Sequence, residues 1–148
     1  MKYFKQIISH KPHENKFGDC VRTVVACLLD CENVEEVPHF FERGDATPEL
    51  IEHGWQHFDV FLASKGLVPF TIYFPGEIPR EDVLKSMAQS NPNIYYMLAG
   101  QSQNAGHIII CKDDKIVHDP SWLEISVVKP AANGFWVVMV FVPIWLKG

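Results

Sequence analysis

Three residues have side chains and surroundings suited to acyl transfer: Cys20, His107 and Asp119. Cys20 directly follows Gly18-Asp19 and opens an apolar helical pattern. A thiol in the first turn of a helix feels the positive end of the backbone dipole and its unpaired N–H groups, and both favour the nucleophilic thiolate. The same N–H groups can hold an oxyanion. His107 opens the very apolar run His107-Ile108-Ile109-Ile110-Cys111, which places an imidazole at the end of a strand, within reach of a nucleophile on another element. Asp119-Pro120 ends the strand after it. Each of these signals is common alone. Together, a thiol, an imidazole base and a carboxylate that orients it follow the triad logic of thiol acyl-transfer enzymes. His107 follows Cys20 by about ninety residues and Asp119 comes twelve later.

The elements around them can be read from periodicity and turn residues. With Asp19 as N-cap, a helix runs from 20 to about Asp30. Cys20, Val24, Cys27 and Cys31 form one stripe, and Val21, Val25, Leu28 and Leu29 widen it to about half the circumference. Such a helix is largely enclosed, with its N-terminus left open. Residues 32–40 connect it to a second helix, which starts with Thr47 as N-cap and Pro48 at the first position. Its apolar stripe is Ile51, Trp55, Phe58 and Leu62, and Gly66 stops it. Residues 67–74 read as a strand, at an edge because of Pro69. Residues 79–90 form a third helix with Val83, Leu84, Met87 and Ala88 facing in. Strands then follow at 94–98, 107–111, 115–119, 123–128 and 135–142. Helices first and strands later imply an α+β domain with an antiparallel sheet.

The hairpin between His107 and Asp119 decides whether the two can meet. If its turn is the two residues Asp113-Asp114, Lys112 pairs with Lys115 and His107 with Pro120. Side chains alternate, so Asp119 then points away from His107, and His118 shares the face of His107 instead. A three-residue loop, or one bulge, returns Asp119 to the face of His107.

The segments GDCVRTVVACLLD and AGHIIICKDDKIVHDPSW resemble the papain-like cysteine peptidase superfamily, and are most similar to its small bacterial and phage branch, which is itself similar to the C39 bacteriocin-leader peptidases. The resemblance covers most of the chain. It implies a papain-like α+β fold in which the helix bearing Cys20 packs on a C-terminal antiparallel sheet. It further implies Cys20 as nucleophile, His107 as general base and acid, and Asp119 as the group orienting the imidazole. The family adds an oxyanion-hole Gln about six residues before the Cys. That place holds Glu14 here, with Asn15 beside it, so Asn15 is the candidate donor and Gln6 the alternative. Trp122, just after Asp119-Pro120-Ser121, is expected near the cleft. The implied activity is hydrolysis of a peptide, isopeptide or related amide bond in a peptide or protein substrate through a thioester, with no cofactor. A catalytically degenerate binding module that grips a host or partner protein is the alternative.

Other classes fit less well. The chain has 148 residues, the length of one ordinary domain, read here as 1–148. Thirteen basic against eighteen acidic residues give a net charge of −5, which argues against nucleic-acid binding. Glu14, Glu32, Glu35 and Glu36 lend the N-terminal third an acidic character that reads first as solubility and only secondarily as a preference for a basic peptide. The N-terminus MKYFKQIISHKPHEN lacks an apolar core and does not read as a signal peptide. The run at 135–146 is too short to span a bilayer and reads as a buried strand. A cytoplasmic, reducing location follows, with the four cysteines as thiols. Cys20 and Cys27 lie roughly 10 Å apart on a straight helix, beyond disulfide reach. No Cys-x-x-Cys pair supports zinc. His53 and His57, four apart, sit opposite the apolar stripe and read as a solvated face. His39 and His118 lack partners in the sequence. Trp55, Trp136 and Trp145 read as core or rim packing.

Overall fold

The computed structural model describes residues 1–43 and 47–144. Trp145 therefore lies outside the described residues. Over the described residues the chain is α+β, with three α-helices and a five-stranded antiparallel sheet. The helices are α1 (Cys20–Leu28), α2 (Pro48–Ser64) and α3 (Arg80–Ser90). The strands are β1 (Leu67–Pro75), β2 (Tyr95–Gln101), β3 (Gly106–Lys112), β4 (Lys115–His118) and β5 (Phe135–Pro143). Their order across the sheet is β1-β5-β2-β3-β4.

Side-chain alternation explains why β2 and β3 read as unbroken apolar runs. Met97, Ile108 and Ile110 pack with α1, and with Phe58 and Leu62 of α2, on one face. Tyr96, Leu98, Ile109 and Cys111 pack with Val83, Leu84 and Met87 of α3 on the other. The sheet is thus covered on both sides, and its central strands have no solvated face.

α1 is more enclosed than its stripe suggests. Thr23 and Ala26, on the nominally open arc, are fully buried along with Val24, Val25 and Cys27. Fully burying one such valine is worth about 1.5–3 kcal/mol. The helix ends in a Schellman motif: Cys31 N–H donates to Ala26 O (3.0 Å) and Asp30 N–H to Cys27 O (3.1 Å). Asp30 takes the left-handed conformation there, at φ 55°.

α2 begins as expected, with the Thr47 hydroxyl accepting from Leu50 N–H. Its stripe is buried only from the second turn onward; Ile51 remains exposed while Phe58 and Leu62 are fully buried. Gly54 sits in this helix because any Cβ would run into the Phe41 ring. β1 is an edge strand, as Pro69 suggested. Pro69 and Pro75 share one parity and have no N–H to offer, which leaves the open edge short of donors.

Two expectations are corrected. Residues 123–128 are not a strand. Glu124 and Ser126 have positive φ (48° and 59°), so the segment cannot extend, and Leu123 is 84% exposed. It wraps around Asp119 and then joins β2, with Gln101 N–H donating to Lys129 O (2.8 Å). Gly100 makes that crossing possible: a Cβ would stand 2.5 Å from Lys129 O. Asp19 does occupy the N-cap position of α1, but its side chain caps nothing. It is turned to Arg22 and to the N–H of Ile8 instead. Among the described residues, no helix is long and apolar enough to cross a membrane.

Candidate active site

The hairpin β3–β4 has the tight turn Asp113-Asp114, with Lys112 paired to Lys115. No Asn-Gly is needed because the turn is held from outside. Asp113 Oδ1 accepts from Asn93 N–H (2.7 Å), and Asp113 O from the Tyr96 hydroxyl (2.7 Å). Further along, Cys111 pairs with Ile116 but Ile110 with His118, which makes Val117 a bulged extra residue. The bulge returns Asp119 to the face of His107.

His107 and Asp119 meet there, Nε2 to Oδ1, at 2.7 Å. Both are buried, at 4% and 9% exposure. Asp119 takes two more bonds, from Ser121 N–H to Oδ1 (2.9 Å) and from Ser126 N–H to Oδ2 (2.7 Å). Burial pushes its pKa up, but the His107 bond and these two N–H groups outweigh it and hold the carboxyl below the usual range. An ionised Asp119 can only accept, so His107 Nε2 donates. That leaves Nδ1 of a neutral imidazole with its lone pair free.

Cys20 opens α1, and its sulfur faces the backbone of β3 at Ile108, the residue after His107. Cys20 is partly exposed. Burial, aided by the Asp19 charge, pushes the thiol up to about 12, against the pull of the Val21, Ile108 and Cys20 N–H groups. The expectation that the helix terminus favours thiolate is therefore corrected: desolvation wins, and the resting thiol is neutral. Among the described residues no hydrogen bond joins Cys20 to His107. Cys27 and Cys111 are buried in the core, and all four cysteines are free.

The oxyanion candidates separate clearly. Asn15 is exposed, in left-handed backbone at the end of a short 3-10 turn. Gln6 is buried, and its Nε2 lies beside Gly18, two residues before Cys20. That amide donates to Ile8 O (3.2 Å). The N-terminal residues are tied to the site. Gln6 N–H donates to Pro120 O (2.8 Å), Lys5 Nζ to Asp119 O (2.8 Å) and Ile8 N–H to Asp19 Oδ1 (3.0 Å). This strap ties the Asp119 loop to the start of α1. No sequence signal marks it, because its bonds are mostly to backbone oxygens. Trp122 belongs to the same joint: the residue is 68% exposed and its Nε1–H donates to Gln6 O (2.8 Å).

The other histidines fall elsewhere. His39 Nε2 bonds to Phe17 O (2.8 Å) and His118 Nε2 to Phe4 O (2.6 Å), so both have the partners their sequence context did not show. His53 and His57 are exposed on α2. Among the described residues, no three His, Cys, Asp or Glu side chains converge as a metal site. No family model, curated protein or solved structure matches this chain.

Proposed function

We propose that the chain is a papain-like cysteine hydrolase that cleaves a peptide, isopeptide or related amide bond. The observation that carries this reading is the buried His107–Asp119 pair at the end of β3. His107 shares the parity of Ile109 and Cys111, which face α3, whereas Cys20 packs with the cluster of Ile108 and Ile110, so the reaction requires the imidazole to reach the thiol around the end of the strand. Asp119 fixes the imidazole with Nε2 protonated and Nδ1 free to take a proton. Since the resting thiol is neutral, the proton leaves Cys20 for His107 as sulfur attacks the carbonyl carbon. The substrate oxygen becomes an oxyanion, for which the Gln6 amide and the Cys20 N–H are the candidate donors. His107 then protonates the leaving amine, and the carbon–nitrogen bond breaks to give a thioester. Water, deprotonated by His107, releases the acid and restores the thiol.

The test is alkylation by iodoacetamide, mapped residue by residue in the wild type and in His107→Ala. The reading expects Cys20 to react faster than Cys27, Cys31 and Cys111, and to slow roughly tenfold or more without the imidazole. A Cys20 as slow as Cys111, and indifferent to His107→Ala, sinks it in favour of a binding module on the same scaffold.

A further inference from the structure

α3 contributes a side chain to the far end of the same hydrogen-bond chain. Arg80, the first residue of α3, sends Nη1 to Val127 O (2.8 Å) and to Ser126 Oγ (3.2 Å). Its Nη2 reaches the exposed Glu81 (3.1 Å). Among the described residues its Nε is buried without a hydrogen-bond partner. A buried guanidinium N–H left unpaired is unfavourable, and such a group calls for an explanation.

The backbone it grips supplies one. Ser126 holds left-handed backbone at φ 59°, a conformation disfavoured for a residue with a side chain. That conformation aims the Ser126 N–H at Asp119 Oδ2. Leu123 and Ile125 beside it are exposed, and the backbone ties nearest Ser126, apart from its own bond to Asp119, lie on either side, at Glu124 N–H to Ser121 O (3.2 Å) and Val128 N–H to Gln101 O (2.8 Å). Val127 is buried against the α3 side of the sheet, so the tether acts between two packed layers.

We infer that Arg80 is a positioning residue for the His107–Asp119 pair. It acts through Ser126 and Val127, fixing the loop whose N–H holds the second carboxylate oxygen and so keeping Oδ1 on His107 Nε2. As a role in catalysis this rests on the hydrolase reading; as a structural coupling it does not.

The experiment reads the His107 Nε2 proton, which a strong bond to a carboxylate shifts downfield in the proton spectrum, at neutral pH. Arg80→Met keeps most of the side-chain length and removes every donor. The resonance should be lost or broadened by faster exchange with water. Arg80→Lys returns a donor to the same place and should restore it in part. Val34→Ala, in the core on the opposite face of the sheet, controls for general loosening and should keep the resonance. A resonance that survives in Arg80→Met, that Arg80→Lys fails to restore, or that Val34→Ala loses equally overturns the inference. The iodoacetamide comparison on the wild type separates the two claims. If Cys20 ignores His107 while the resonance responds to Arg80, the hydrolase reading falls and the coupling stands.

Discussion

His107 and Asp119 share one face of the β3–β4 hairpin because Val117 is bulged out of register between them. The tight turn at Asp113-Asp114 would by itself oppose His107 to Pro120 and turn Asp119 away. One unpaired residue shifts the pairing by one place. His107 then stands opposite Ser121, and Asp119, two residues earlier, lies on its side. His118 falls on the other side, where it bonds Phe4 O.

Deleting Val117 tests this account. The shortened hairpin needs no bulge, keeps Ile110 opposite His118, and therefore keeps Asp119 on the His107 face. The downfield Nε2 proton should persist, with a stability loss of about 1–2 kcal/mol from the missing side chain. If that proton vanishes in a variant that still folds, the bulge is doing more than adjusting register.

Much of this was legible in advance. The strand runs, the Thr47-Pro48 start and the edge position of Pro69 follow from local chemistry and periodicity. So do the places of Cys20 in the first turn of α1 and of His107 and Asp119 at strand ends, of which the last two meet. What was not legible depends on distant groups. The segment 123–128 has strand-like residues, yet Asp119 draws the Ser126 N–H inward and Arg80 holds it. Gln6 sits far from the nucleophile in sequence, and only the strap's bonds to Pro120 and Asp19 bring it back. Helix-terminus reasoning missed the state of Cys20 because it took no account of the packing that encloses the thiol.

Asp119→Asn should destabilise the protein in a pH-dependent way. The folded pKa of Asp119 lies below its ordinary value of 3.8. Its ionisation therefore contributes stability that is present above about pH 4 and fades as the pH falls through the lower folded value. The variant should lose roughly 1–3 kcal/mol at neutral pH. That gap should narrow below about pH 4, where both proteins carry a neutral group. Urea midpoints across this range measure it. A gap that stays constant or widens on acidification means that the carboxylate's charge is not what its three donors stabilise.

Alkaline stability should respond to the enclosed thiols. Burial pushes both Cys20 and Cys111 up to about 12 from an ordinary 9.0, and raises Cys27 and Tyr96 as well. A raised acid favours the folded state below its unfolded pKa and loses that contribution as the pH rises toward the folded value. Stability should therefore fall from about pH 9 upward, because the unfolded chain releases protons that the folded chain retains. Cys111→Ala should have a shallower alkaline slope than the wild type in the same titration, whatever its stability at neutral pH. Parallel curves would mean that the Cys111 thiol ionises as freely in the folded chain as in the unfolded one.

Gly100→Ala should reach the site without touching it. A Cβ there would lie 2.5 Å from Lys129 O and 2.6 Å from Val127 Cγ1, both part of the segment that crosses β2. That segment is pinned by Gln101 N–H to Lys129 O (2.8 Å) and by Val128 N–H to Gln101 O (2.8 Å), so it cannot lift without breaking them. Overpacking of this kind costs about 1–3 kcal/mol. The displacement runs directly into Val127 and Ser126, hence into the N–H that holds Asp119 Oδ2. Gly100→Ala should therefore lower the melting temperature and weaken the His107 Nε2 proton signal together. A melting temperature equal to that of the wild type would show that the crossing has room for a methyl group, and that the close approach at Gly100 does not hold the Asp119 loop in place.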